Sequence, residues 1–241
     1  DTILVSLMHI KNELGTQTDI AEIGAVTRAA GVFLHVDAAQ SAGKLPIDVK
    51  AMQVDLMSLS AHKMYGPKGM GALYVSRQPL VKLSAQIHGG GHERGMRSGT
   101  LATHQIVGMG EAAVIAVENL AEEAQRIRTL RDRLWSGIAD LPGVSRNGAT
   151  QTISPGHLNV CFSGVEGETL LMSLRQLAIS SGSACNSASM KPSYVLTAMG
   201  LTDAQADSSV RLSIGRFTDE TDVDNAVEHI RNVYERLQQA V

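Results

Sequence analysis

The chain has 241 residues, 44% of them hydrophobic, a length that supports one large or two modest domains around a sizeable core. Its formal charge of −3 is interspersed along the chain without a block of one sign, which argues against a nucleic-acid or membrane-surface partner. No apolar run approaches the roughly 18 residues of a membrane span, no secretory leader is recognisable, and Cys161 with Cys185 makes no disulfide framework, so a soluble, cytoplasmic protein is expected.

Thr2 to Ile10 reads as a buried strand that starts at once after Asp1. Natural chains begin with Met and seldom open inside a core element, so the sequence is expected to be part of a longer protein. Asp19 to Ala30 is a predicted helix, with Ile20, Ile23 and Val26 at helical spacing, a capping-box-like Asp19 and Glu22, and Gly31 as the stop. Strands follow at Val32 to Val36, Leu56 to Leu59 and Gly71 to Val75. Strands alternating with a helix predict a layered α/β domain with a mostly parallel sheet. One long helix is predicted from Thr103 to Ile138, ended by Leu141-Pro142-Gly143. Beyond it come strand Leu158 to Phe162, helix Glu166 to Leu177, a Ser/Gly-rich loop and a short helix near Tyr194 to Met199. Strand Val210 to Ile214 and a helix from Asp222 to Gln238 close the chain. This second half reads as a smaller α+β domain, giving expected domains of residues 1–118 and 119–241.

In parallel sheets the ligand site lies outside the carboxyl ends of the strands, and two polar segments fall there: His35 to Gln40 and Ser58 to Lys63. A lone lysine is usually a solvated surface group. Lys63, however, sits between a strand and the tight turn Met64-Tyr65-Gly66-Pro67-Lys68-Gly69, an edge where desolvation can prepare an amine for Schiff-base chemistry. Asp37 has the ordinary reading of a turn residue that satisfies backbone N–H groups. It also follows an apolar run, and a pyridinium N–H is a charge-assisted partner for a carboxylate placed there. Gln40 has the spacing to reach a ring oxygen, and Ser60 and His62 can donate hydrogen bonds to a phosphate.

Four motifs then occur in order: His35-x-Asp37-x-x-Gln40, Ser60-x-His62-Lys63, His88 to Thr100 (HGGGHERGMRSGT), and Ser180-Ser181-Gly182-Ser183-Ala184-Cys185. Together they resemble the pyridoxal-phosphate cysteine desulfurases of the IscS/NifS type, nearer to IscS, across essentially the whole chain. The resemblance implies a PLP-dependent fold type I: an incomplete large domain with a mostly parallel sheet, plus the smaller α+β domain. It implies Lys63 as the lysine that joins the cofactor and moves protons at the substrate Cα. It implies Asp37 on the pyridine nitrogen, and Ser60 and His62 on the phosphate. Gln40 and Asn12 would contact the phenolic oxygen or the substrate. Thr100 would reach the phosphate of a neighbouring subunit, hence a homodimer, and Arg211 would hold the α-carboxylate of L-cysteine. Cys185 would be the nucleophile: it lies among polar, small residues, whereas Cys161 lies within an apolar run and reads as a small core residue. The implied reaction converts L-cysteine to L-alanine and leaves a persulfide on Cys185 for an acceptor such as an iron–sulfur scaffold or a tRNA-thiolation relay.

His88 and His92 flank three glycines but lack the three or four ligands of a zinc site, so no metal is expected and a subunit-interface loop is the reading preferred. Departures from the family pattern are Lys11, where Asn is usual, Ala61 in place of Gly, and Ala39 in place of Thr. Relatives carry roughly a third of their length before the equivalent of Asp1. The sequence as it stands is therefore expected to bind the cofactor weakly or not at all, and to be inactive by itself, unless that missing part is supplied. Rival readings are a different fold-type-I enzyme, such as a selenocysteine lyase or a class V aminotransferase, for the latter of which Cys185 would matter little, and a non-catalytic interaction module.

Overall fold

The computed structural model describes residues 1–181 and 192–239. The chain divides into two compact units, one of Asp1–Ile10 with Thr18–Leu120 and one of Lys11–Gln17 with Ala121–Val241.

The first unit is built on β1 (Leu4–Met8), α1 (Ile20–Ala29), β2 (Phe33–Asp37), β3 (Leu56–Ser60), β4 (Gly71–Val75) and α2 (Thr103–Glu118). Strands β1, β2 and β3 are adjacent and parallel, and β4 adds antiparallel to β3. The mostly parallel sheet is present, with a reversed edge strand. The connection from β3 to β4 is too short for a crossover, which needs a dozen or more residues. α1 begins where Asp19 accepts a hydrogen bond from Glu22 N at 3.0 Å. Its Ile20 and Ile23 pack with Leu34, Val36, Val54 and Met57 on one face of the sheet. Along β2, Leu34 and Val36 enter that core, so the two-residue period of a strand turns His35 and Asp37 to the opposite face.

The single helix expected from Thr103 to Ile138 is two. α2 ends at Asn119, and α3 (Leu120–Ile138) begins immediately after it. Asn119 Nδ2 donates to Ile115 O at 2.8 Å, a side-chain bond within the last turn of the kind that favours helix ends over interiors.

The second unit continues with β5 (Val144–Arg146), β6 (His157–Phe162), α4 (Gly167–Ser173), β7 (Ser180–Ser181), α5 (Tyr194–Ala198), α6 (Asp203–Asp207), β8 (Ser209–Ser213) and α7 (Glu220–Gln238). Its sheet is antiparallel in the order β5-β6-β8-β7. α4 is shorter than the helix expected over Glu166 to Leu177, because Glu166 is its N-cap, accepting from Thr169 N at 2.8 Å, and the helix ends at Ser173. Leu130, Leu134 and Ile138 of α3 and Ile230, Val233 and Tyr234 of α7 pack against Leu158, Val160, Phe162, Val210 and Leu212. Tyr234 meets the ring of Phe162 edge-on, with centroids 5.4 Å apart.

All six residues of β6 are buried, so the face carrying His157, Asn159 and Cys161 is covered as well. Residues of Lys11–Gln17 supply part of that cover. Ser154 N donates to Gly15 O at 2.8 Å and Gln17 N to Thr152 O at 3.0 Å. Gly15 (φ +75) lies so close to β6 that a Cβ there would sit 2.4 Å from the Cβ of His157. Both the left-handed backbone and the close approach require glycine.

Candidate active site

Within the first unit, the carboxyl ends of β2 and β3 lie side by side: Asp37 is the register partner of Ser58, and Ser60 ends β3 two residues later. The strand period that turns Asp37 away from the core does the same for Ser58 and Ser60. Asp37 Oδ1 accepts from Ala39 N at 2.9 Å, the ordinary turn contact, and among the described residues Oδ2 carries no hydrogen bond. The carboxylate is half-buried, so a cationic N–H is a fitting partner for that oxygen.

On the same face His35 forms a strap across the three parallel strands. Its Nδ1 lies 2.7 Å from Ser6 Oγ on β1 and its Nε2 2.8 Å from Ser58 Oγ on β3. Sequence reading quoted His35 as part of a motif but gave it no task. The signal was its position two residues before Asp37, on the same face. A ring bonded at both nitrogens fixes the mutual register of the strands that deliver Asp37 and Ser60.

Lys63 sits in a single 3₁₀ turn, Ala61–Met64, directly after β3. Ala61 and Met64 are buried and anchor the turn, while His62 is exposed and Lys63 half-buried. Ser60 Oγ lies 3.0 Å from His62 Nδ1. Tyr65 closes the turn with φ +67, and Gly66 N donates back to Ala61 O at 2.9 Å. α2 braces it: a Cβ at Gly66 would meet those of Ala61 and Ala112 at 3.1 and 3.2 Å. The methyl of Ala61, where the resemblance expects glycine, is accommodated because residue 66 has no side chain. Gln40 is half-buried in the turn after β2.

Thr100 is exposed at the end of the glycine-rich loop. That loop is closed on itself: Ser98 N donates to Ile87 O at 3.1 Å, Gly91 N to Ser98 Oγ at 3.2 Å, and Gly99 N to His92 Nδ1 at 3.4 Å. Among the described residues no cluster of His, Cys, Asp or Glu has the arrangement of a metal site.

The second unit holds Asn12 and Arg211. Arg211 lies on β8 opposite Asn159 of β6, and its Nη1 donates to Asn12 O at 2.9 Å. Its Nε is buried without a hydrogen-bond partner among the described residues, as are Ser180 Oγ on neighbouring β7 and Glu13 Oε1. A guanidinium with a buried, unanswered N–H suits an anionic ligand such as a carboxylate. Cys185 lies outside the described residues.

The donor set of the first unit fits pyridoxal phosphate. It offers an acceptor oxygen on Asp37 for a ring N–H, a hydroxyl and an imidazole for a phosphate, and an amine on an anchored turn beside them.

The sequence profile of the aminotransferase class-V family matches residues 1–226. The chain belongs to that family. As a class-V member it is 60% identical over 239 residues to a cysteine desulfurase IscS of Aeromonas hydrophila subsp. hydrophila, covering 99% of this chain and 59% of the relative. It thus spans about three fifths of the length of the curated relatives it matches. Among solved structures, a NifS-like protein from Rickettsia africae ESF-5 superposes with a TM-score of 0.88 at 28% identity, over 97% of this chain and 62% of that one. A structure described as SspA in complex with cysteine matches at a TM-score of 0.74 and 40% identity, over 90% of this chain and 60% of that one. The fold expected from the sequence, PLP-dependent fold type I, is the fold these structures share. No helix among the described residues is long and apolar enough to cross a membrane.

Proposed function

We propose that this chain is the cofactor-bearing and thiol-bearing portion of a cysteine desulfurase, converting L-cysteine to L-alanine and holding the sulfur as a persulfide on Cys185. The observation that carries the reading is the adjacency of Asp37, at the end of β2, to the Ser60-Ala61-His62-Lys63 run that closes β3. The names of the IscS relatives and the cysteine complex of SspA support it.

Pyridoxal phosphate, when bound, supplies an electron sink that acidifies the Cα–H of an amino acid. The tasks of the chain follow from where its groups sit. Asp37 accepts the ring N–H and keeps that nitrogen protonated. Ser60 and His62 donate to the phosphate, and Gln40 to a ring oxygen. Lys63 holds the cofactor aldehyde and carries a proton to and from the substrate Cα. Arg211 clamps the substrate carboxylate, with Asn12 beside it. Cys185, as thiolate, attacks the substrate sulfur, forming an S–S bond as the carbon–sulfur bond breaks, and its persulfide passes to an acceptor such as an iron–sulfur scaffold.

In this reading the cofactor-binding part is the first unit, close to the expected residues 1–118 but without Lys11–Gln17, and the second unit, close to the expected residues 119–241, supplies Arg211 and Cys185. The working assembly is a cytoplasmic homodimer in which Thr100 contributes to the partner's phosphate site. Apolar Ile87 and Val107, 54% and 71% exposed near the glycine-rich loop and on α2, support a subunit contact there.

The test is to incubate the holoenzyme with L-cysteine and assay alanine and protein-bound persulfide, beside Lys63→Ala and Cys185→Ala. Lys63→Ala is expected to make neither product, and Cys185→Ala to lose the persulfide. Unimpaired turnover by Lys63→Ala ends the reading. Unimpaired sulfur release by Cys185→Ala moves it to a lyase of the selenocysteine type, and unimpaired amino-group transfer with the carbon–sulfur bond intact moves it to an aminotransferase.

A further inference from the structure

Two consecutive carbonyls of the Lys11–Gln17 segment are held by side chains from two adjacent strands. Arg211 Nη1 of β8 holds Asn12 O at 2.9 Å, and Asn159 Nδ2 of β6 holds Glu13 O at 3.2 Å. Asn159 and Arg211 are direct register partners, so their side chains leave the same face of the sheet next to each other. Asn159 is fully buried, and its own orientation is fixed: Oδ1 accepts from Asn147 Nδ2 at 2.8 Å, and the same nitrogen lies 3.0 Å from Ser209 Oγ. Asn147 N also donates to Asn159 O at 2.9 Å.

Burial of a primary amide costs free energy unless its hydrogen bonds are made, and an apolar residue at 159 would suit an otherwise buried strand. The amide nevertheless spans from β5, through Asn147, to the segment that carries Asn12. Arg211 meets the same segment one residue earlier and keeps Nε unanswered. A guanidinium that uses one nitrogen on the scaffold and keeps another for a ligand is only as well aimed as the carbonyl it holds.

We infer that Asn159 is a positioning residue for substrate-carboxylate recognition: by fixing Glu13 O it fixes Asn12 O, and through that carbonyl the guanidinium of Arg211. It touches no substrate itself. This rests on the proposed role of Arg211 in a cysteine desulfurase.

The test uses the holoenzyme and four proteins: unsubstituted, Arg211→Lys, Asn159→Asp and Asn147→Ala. Asn159→Asp keeps size and the oxygen that Asn147 binds, but turns an acceptor toward Glu13 O. Measured are KM and kcat for L-cysteine, thermal unfolding, and calorimetric affinity for two ligands. L-alanine carries a carboxylate; ethylamine keeps the amine and lacks it. For Asn159→Asp the expected result is a KM raised about 10-fold with kcat changed no more than about 3-fold, as for lost uniform binding of a ground-state group. L-alanine affinity should fall in parallel and ethylamine affinity should hold. Asn147→Ala should show the same pattern at smaller size, and it serves as the probe if Asn159→Asp does not fold. Equal losses for both ligands, or an unchanged KM in a folded variant, would mean a purely structural asparagine and overturns the inference. If Arg211→Lys leaves L-alanine affinity intact, the role of Arg211 fails first and the inference falls with it. A large effect at 211 with none at 159 or 147 removes only the positioning role.

Discussion

Gly66 faces Ala61 across the turn that carries Lys63, so closely that a methyl at residue 66 would lie 3.1 Å from both the Cβ and the carbonyl oxygen of Ala61. The contact couples a core position to the proposed cofactor amine. Gly66→Ala should destabilise the protein by about 1–3 kcal/mol, the range for overpacking a filled site, and should weaken cofactor retention by displacing residues 61–64. Adding Ala61→Gly should recover part of both. Denaturant melts and titration with pyridoxal phosphate read the two effects, and a harmless Gly66→Ala would show the turn to be loosely held.

Asp55 is a buried carboxylate that joins two elements of the first unit. Its Oδ2 accepts from Leu34 N and its Oδ1 from Arg28 Nη2, both at 2.8 Å. Asp55→Ala leaves a strand N–H unanswered in the core and should cost about 2–4 kcal/mol. Arg28 is 38% exposed and can return to water, so Arg28→Ala should cost clearly less, near the 1 kcal/mol or so of a surface pair. Chemical denaturation of the two variants decides the order, and equal losses would contradict it.

His9 is buried directly after β1; its backbone N–H donates to Asp37 O at 3.0 Å, while its ring Nδ1 has no hydrogen-bond partner among the described residues. Desolvation holds its imidazole below the ordinary value of 6.5. Between that lowered pKa and 6.5 the unfolded chain binds more protons than the folded one, so stability rises with pH across this window. The contribution is fully present above pH 6.5 and is lost as pH falls through the folded pKa. Unfolding free energy should hold level above pH 6.5 and decline as pH falls from 6.5 through the lowered folded-state pKa. His9→Leu should remove that decline while leaving the acid losses due to carboxylates.

Val107 on α2 is an apolar side chain left largely in solvent. If this region forms the subunit contact, Val107→Glu should shift the protein toward monomer in sedimentation velocity and lower its cofactor content, because Thr100 would no longer reach a second site. An unchanged dimer would locate the contact elsewhere.

Much of the first unit was legible because its signals are local. The apolar run at Val32 to Val36 located β2 to within one residue, Asp19 and Gly31 bounded α1, and the polar residues at the ends of β2 and β3 marked the edge where the proposed site lies. The break at Asn119 was readable in principle, since an asparagine in an apolar helix run is a candidate end, but helical period continued on both sides of it. α6 also had a signal that went unread: Thr202 and Gln205 form a capping box. β5 and β7 had little, because strands of three and two residues show no periodicity and exist through pairing with β6 and β8. The polar side of the six-residue β6 was hidden for a different reason. Asn159 sits inside an apolar run, and its partners Asn147 and Glu13 are distant in sequence, so only the folded chain reveals why an amide is there.

The backbone passes between the two units at Ile10–Lys11, at Gln17–Thr18 and again at Leu120–Ala121. Cutting the polypeptide after Leu120 would therefore not liberate an intact second module. Residues 121–241 made alone would forfeit the short loan of seven neighbouring amino acids, Lys11 to Gln17, and expose the amide of Asn159 and the ring of His157 to water. Supplying those residues on a tether, rather than trimming the termini, is the rational way to obtain that module as an independent piece.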